Sequence, residues 1–172
     1  MEVENNNLTK LCSFYVSDWH LVTMLLPYIN KKINEEAKIA TILEKDLQDN
    51  IVKLVEKLNI KNKEKILSLN WNKEYDKERI FSNNNDYNDK IIIVNGSKDF
   101  IEKKNKKIHN YLNTHKINGK IKIINCYEIV NYDGSITDIL NQHDKVLNTS
   151  GEREIEDIFK GYNNKVKDRK IV

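Results

Sequence analysis

Arginine is nearly missing from this chain. Of 29 basic residues among 172, only Arg79, Arg153 and Arg169 are arginines, and the rest are lysines. The matching excess of Lys, Asn and Ile is the mark of AT-rich coding, so the lysine count carries little functional information. The net charge of +3 is small, the pI is about 8.6, and acids and bases are intermixed. That balance does not call for a nucleic-acid partner. Cysteine is scarce as well. Cys12 and Cys126 have no CxxC spacing, which fits buried free thiols in a reducing cytoplasm. No run of about 18 apolar residues exists to cross a bilayer. The opening MEVENNNLTK is acidic and Asn-rich, without the apolar core of a signal peptide. The expectation is a cytoplasmic protein with no membrane association and no resident cofactor.

What is present alternates. Leu11–Val16 reads as a short apolar strand, followed by the polar turn Ser17-Asp18-Trp19-His20. Leu21, Met24, Leu25, Tyr28, Ile29 and Ile33 then recur at helical spacing. Ser17 or Asp18 can cap that helix, and Pro27 inside it predicts a kink or a break. A second strand is predicted at Lys38–Leu43, a helix at Leu47–Leu58, and a third strand at Lys65–Asn70. Residues 72–90 read as a long polar connection with one short helix around Asp76–Phe81. Lys90–Asn95 (KIIIVN) is the most apolar strand, and a continuous Ile/Val run implies burial on both faces of a parallel sheet. A helix at Lys98–Asn113, a strand at Lys120–Asn125, a polar helix at Ser135–Gln142, a short strand at Lys145–Leu147 and a final helix at Glu152–Tyr162 complete the pattern. The expected architecture is a three-layer α/β/α sandwich around a mostly parallel sheet of five to six strands. Residues 1–9 are expected to be a flexible N-terminus, 10–162 one domain, and 163–172 a loose basic tail.

In such sheets ligands sit beyond the carboxyl ends of the strands. Both tryptophans, Trp19 and Trp71, fall at predicted strand ends, where a flat aromatic face can receive a planar ligand. Asn95-Gly96-Ser97 and Ser150-Gly151 precede predicted helices, whose free N–H groups can hold a phosphate or carboxylate. Arg153 could add a charge-assisted contact. The candidate ligand-binding set is therefore Asp18, Trp19, Trp71, Asn95, Gly96, Ser97, Ser150, Gly151 and Arg153. The same polar residues are also what ordinary helix starts require. Asp18-x-His20 directly after a strand resembles the first metal motif of calcineurin-like phosphoesterases, which makes Asp18 and His20 the candidate catalytic pair. The family's later motifs have no counterpart here, and no metal site is expected.

The order of elements resembles a RecA/KaiC-type domain, which implies a Rossmann-like or RecA-like sheet. More narrowly, FYVSDWHLVTMLLPYINKKINEEAKIATILEKD resembles the opening of MEDS sensory domains, degenerate KaiC-like domains of bacterial regulators. The resemblance spans about Leu11–Trp71 and rests on an aromatic strand, a helix carrying the Pro27-Tyr28 pair, and a second strand. The chain departs from a working ATPase. Ser17–Leu25 has neither Gly nor Lys where GxxxxGK[ST] would stand, so no Walker-type cradle can form. The strand KIIIVN ends in Asn95 rather than an acid. The resemblance thus implies a non-catalytic sensory or regulatory module that binds a small, nucleotide-like ligand or a protein partner, with a homodimer allowed. The alternative is a hydrolase or transferase acting on a phosphorylated small molecule through Asp18 and His20.

Overall fold

The computed structural model describes residues 7–73, 87–129 and 136–162. The elements run β1 (Leu8–Tyr15), α1 (Asp18–Asn34), β2 (Lys38–Leu43), α2 (Gln48–Lys57), α3 (Lys63–Leu67), β3 (Lys90–Gly96), α4 (Lys98–Thr114), β4 (Ile121–Glu128), α5 (Ile136–Leu140), β5 (Lys145–Asn148), β6 (Gly151–Arg153) and α6 (Ile155–Ile158). Six strands form one sheet in the order β2-β3-β4-β1-β5-β6. The first five are parallel neighbours, and β6 returns antiparallel to β5. This is the α/β/α arrangement that the alternating pattern implies.

The apolar run of β3 explains the layering. Ile91 and Ile93 pack into one core with α1, α2 and α3, while Ile92 and Val94 pack into a second core with α4, α5 and α6. Side chains alternate across a strand, so a continuous Ile/Val run feeds both cores at once. Each helix supplies its stripe: Leu21, Leu25 and Ile29 from α1, Ile51 and Val55 from α2, Ile101, Ile108 and Leu112 from α4. Cys12 lies in the second core and Cys126 in the first, and neither is in a disulfide. Opposite faces of a sheet keep the two sulfurs from bonding. The second core also holds a polar cluster. Asn105 and Asn125 exchange amide hydrogen bonds of 2.8 and 2.9 Å, and Asn125 Nδ2 reaches His143 Nε2 at 2.9 Å. His143 Nδ1 lies 2.6 Å from the Ile139 carbonyl, which fixes Nδ1 as the protonated nitrogen.

Four expectations are corrected. Strand pairing begins at Leu8, opposite Ile121, so the flexible N-terminus does not extend to residue 9. Helix α1 runs unbroken through Pro27. Pro27 and Thr23 both face solvent, so the carbonyl that loses its partner can turn to water.

Lys65–Asn70 is not a strand. Its place is taken by α3, which buries Ile66 and leaves Lys65 and Leu67 exposed. Short apolar runs do not distinguish strand from helix by periodicity. The segment after α3 is tied to β2 and to the loop that follows it: the Thr41 hydroxyl donates to the Asn70 carbonyl, and Leu47 N–H donates to the Trp71 carbonyl at 2.7 Å.

Glu152–Tyr162 is not one helix either. Asn148 and Gly151 close a two-residue hairpin, Asn148 Oδ1 accepts from Ser150 N at 2.8 Å, and Gly151 takes a φ of 101°. That local chemistry favours a turn, and only four residues of helix remain beyond it. The expected helix at Asp76–Phe81 and the basic tail lie outside the described residues.

Trp71 closes the first core. It is fully buried, and its indole N–H donates to the Ile66 carbonyl at 2.8 Å. Trp71→Ala is expected to cost about 3–5 kcal/mol in a urea unfolding titration. A loss under about 1 kcal/mol would mean that the ring is not part of the core.

Candidate functional site

Parallel strands whose connections leave to opposite faces open a crevice at their carboxyl ends. Two neighbouring pairs do this here. β1 leads to α1 over the first core, while β4 leads to α5 over the second. β2 and β3 diverge in the same way. The strand-end candidates distribute between these two places, and the remainder lie at a third.

Between β1 and β4, Tyr15 and Glu128 are register partners. Lys45, from the loop after β2, sits 2.6 Å from Asp18 Oδ1 and 3.7 Å from Glu128 Oε2, with its ammonium 5.4 Å from the Tyr15 ring centroid. Burial works against the Lys45 charge, yet its hydrogen bond to Asp18 and the surrounding negative charge outweigh it and raise its pKa. Burial pushes the Tyr15 phenol upward as well, against the hydrogen bond from Asn95. The Tyr15 oxygen accepts from Asn95 Nδ2 at 2.6 Å, and the same amide reaches the Cys126 carbonyl at 3.3 Å. Asn95 Oδ1 is buried without a partner among the described residues. Asp18 is thus committed to a lysine. His20 is held locally: its Nδ1 accepts from Val16 N at 3.1 Å, and its own N–H donates to the capping Ser17 Oγ. Among the described residues no three of His, Cys, Asp and Glu stand close enough together to share a metal ion.

Between β2 and β3, the expected anion place is already taken. Glu44 Oε1 accepts from Ser97 N at 2.8 Å, and Ser97 Oγ accepts from Phe100 N at 3.2 Å. A carboxylate of the protein itself therefore stands at the start of α4, where the backbone N–H groups and the helix dipole favour negative charge. Gly96 allows this close approach. A Cβ there would lie 2.5 Å from Phe100 Cδ1 and 2.9 Å from Glu44 Cβ.

The two tryptophans do not form a common platform. Trp71 is closed into the core, which removes it as a ligand face; the residue before a long polar segment reads as a strand end only if α3 is mistaken for a strand. Trp19 is 41 % exposed, and the Lys57 ammonium lies 5.6 Å from its ring centroid.

Ser150, Gly151 and Arg153 come together elsewhere, on the wall of a cavity of about 420 Å³ between α1 and the β5–β6 hairpin. α1 contributes Met24, Pro27, Tyr28, Lys31 and Lys32, and the hairpin contributes Asn148 to Arg153. Glu152 anchors this wall. Its Oε2 accepts from Lys122 Nζ at 2.6 Å and from the Tyr28 hydroxyl at 2.9 Å, with Lys32 Nζ at 3.8 Å. Burial alone would raise the Glu152 pKa, but these bonds and charges reverse the effect and lower it. Burial and the neighbouring Glu152 charge drive the Tyr28 phenol strongly upward, so it stays protonated and donates.

Sequence reasoning placed Arg153 on a helix and missed Tyr28, Lys31, Lys32 and Glu152. The spacing 24, 27, 28, 31 was a legible helix face. Its opposite wall was not, because it needed the hairpin. No protein-family model, no curated protein and no solved structure matches the chain. No described helix is long and apolar enough to cross a membrane.

Two measurements check these placements. Gly96→Ala should destabilise by about 1–3 kcal/mol, because a packed ring and the Glu44 stem must both move. Urea unfolding reads the change, and an unchanged midpoint would refute the close approach. Glu152, with its folded pKa lowered, stabilises the fold above the ordinary glutamate range near about pH 4.3. That contribution is lost as pH falls through the lower folded value. Comparing unfolding midpoints of wild type and Glu152→Gln between pH 7 and pH 2.5 should show their difference shrinking with acid. A difference that stays constant would place the stabilising interaction outside the carboxylate charge.

Proposed function

We propose that the protein is a non-catalytic regulatory module that binds a small anionic ligand in the cavity between α1 and the β5–β6 hairpin. One observation carries this reading: the charge balance of the wall. Lys31, Lys32 and Arg153 face a single acid, Glu152, which already has its counter-charges in Lys122 and Lys32. Lys31 has no ion pair among the described residues, and Arg153 makes one weak contact, 3.3 Å to the Ser150 carbonyl. Cations without acids are what a phosphate or carboxylate requires. Met24 and Pro27 supply apolar surface for the body of such a ligand, and about 420 Å³ lies within the range of small-molecule sites.

The strand-end residues support binding rather than turnover. Asp18 is neutralised by Lys45 and His20 is occupied by backbone. The resemblance of Leu11–Trp71 to MEDS-type sensory domains points in the same direction, toward a receptor for a nucleotide-like ligand in the cytoplasm.

The test is isothermal titration of the native chain with adenosine monophosphate and inorganic pyrophosphate, beside the double variant Lys31→Ala/Arg153→Ala. Both side chains are exposed, so the variant should fold. Losing two charge-assisted contacts, at about 1.5–3 kcal/mol each, should weaken binding by about 100-fold or more. A ligand at 100 times its Kd should also stabilise the wild type by about 2.7 kcal/mol. Equal affinity of wild type and variant would sink the cavity as the site. Phosphate release from a nucleotide, lost on Asp18→Asn, would replace this reading with the hydrolase.

A further inference from the structure

Glu152 is an odd residue to find on the wall of an anion site, and its two oxygens are used unequally. Every contact that holds it — Lys122 at 2.6 Å, the Tyr28 hydroxyl at 2.9 Å, Lys32 at 3.8 Å — is made by Oε2. Oε1 carries no hydrogen bond among the described residues. The carboxylate is therefore fixed in place and kept ionised, while one oxygen has acceptor capacity left over. Its side chain is 18 % exposed, on the wall of the cavity.

Resting on the proposed cavity site, we infer that its ligand has two poles: a phosphate held by Lys31 and Arg153, and hydroxyl groups that donate to Glu152 Oε1. The class this selects is a ribose or other sugar phosphate, free or as part of a ribonucleotide. A positively charged donor fits less well. Lys31, Lys32 and Arg153 line the same cavity as Glu152, Lys122 pairs with Glu152 at 2.6 Å, and Glu35 pairs with Lys32 at 3.4 Å. The neighbourhood stays net positive, and a further cation entering it would be repelled. A neutral hydroxyl escapes that repulsion and still gains a charge-assisted bond. A bare anion has the opposite problem. It meets the cations but also faces the Glu152 charge, with no donor to offer it. Glu152 is thus a specificity residue, and it discriminates by leaving a ligand without hydroxyls facing an unsatisfied carboxylate.

This makes a prediction of opposite sign for two ligands in one variant. Titrate wild type and Glu152→Gln with adenosine monophosphate, its 2′,3′-dideoxy analogue, ribose 5-phosphate and inorganic pyrophosphate. Wild type should bind the ribonucleotide about 10-fold or more tighter than the dideoxy analogue, the worth of about one charged hydrogen bond. Glu152→Gln should erase that ratio and bind pyrophosphate several-fold tighter than wild type does. Ribose 5-phosphate matching the ribonucleotide would identify the sugar phosphate as the recognised unit, and a markedly tighter ribonucleotide would add the base.

A merely structural Glu152 gives a different result: wild type would bind ribo and dideoxy ligands alike, and the variant would weaken all four in proportion. That outcome overturns the inference and leaves the anion site standing. No binding of any anion by wild type would remove the cavity reading and this inference together. Should Glu152→Gln not fold, the ribo-to-dideoxy ratio on the wild-type chain decides alone.

Discussion

Burial of the central parallel strands on both faces is the constraint on which the rest of the structure depends. β3, β4 and β1 each feed two cores. Water therefore cannot satisfy their backbone groups, and the parallel ladder must. Parallel neighbours in turn require a crossover between each pair, and those crossovers become the two helical layers. The layers decide where polar chemistry can stand. Both diverging strand pairs, β1 with β4 and β2 with β3, have their polar loops at the same edge of the sheet. It is at that edge that Asp18, Lys45, Glu128, Glu44 and Ser97 are found.

The charges at that edge mostly answer one another. Lys45 is shared between Asp18 and Glu128, and Glu44 closes the start of α4. These contacts engage the charged groups of that edge with one another. The cavity under α1 is different, because its cations outnumber its acids. The difference lies in pairing rather than in composition. Both places contain lysines and glutamates, but in the cavity Lys31 and Arg153 have no ion pair among the described residues and Glu152 has one oxygen without a hydrogen bond. Polar groups buried deeper obey a stricter rule. The Asn105–Asn125–His143 cluster is satisfied by reciprocal bonds, as a low-dielectric interior demands. Asn95 Oδ1 is the exception among buried side-chain atoms of the described residues.

Much of the fold was legible, and the reasons are specific. Lys38–Leu43 and Lys90–Asn95 are nearly pure apolar runs of strand length, Leu47–Leu58 has an unbroken helical stripe, and Lys98–Asn113 has one interrupted only by Lys104 and Asn105. In these stretches local propensity and tertiary burial agree. Lys65–Asn70 misled because a short run of KILSLN carries no period that separates strand from helix. The chain after Ser150 misled because Glu152-Arg153-Glu154 looks like a helix start when nothing shows that Gly151 pairs back to Asn148. Of the candidate site, Ser150, Gly151 and Arg153 were found as an expected helix start, a different reason from the one that unites them.

The sequence by itself determined the class of fold, since hydrophobic periodicity is a local property that survives without knowledge of neighbours. It also determined that no Walker-type phosphate cradle exists, because the required glycines and lysine are absent from Ser17–Leu25. Only the tertiary structure decided which polar residues are spent and which remain available. Whether Asp18 meets Lys45, whether Glu44 reaches Ser97, and whether Tyr28 donates to Glu152 are all contacts between residues 27 to 124 positions apart. Long-range pairing of this kind is set by packing of the whole chain, and no local pattern records it.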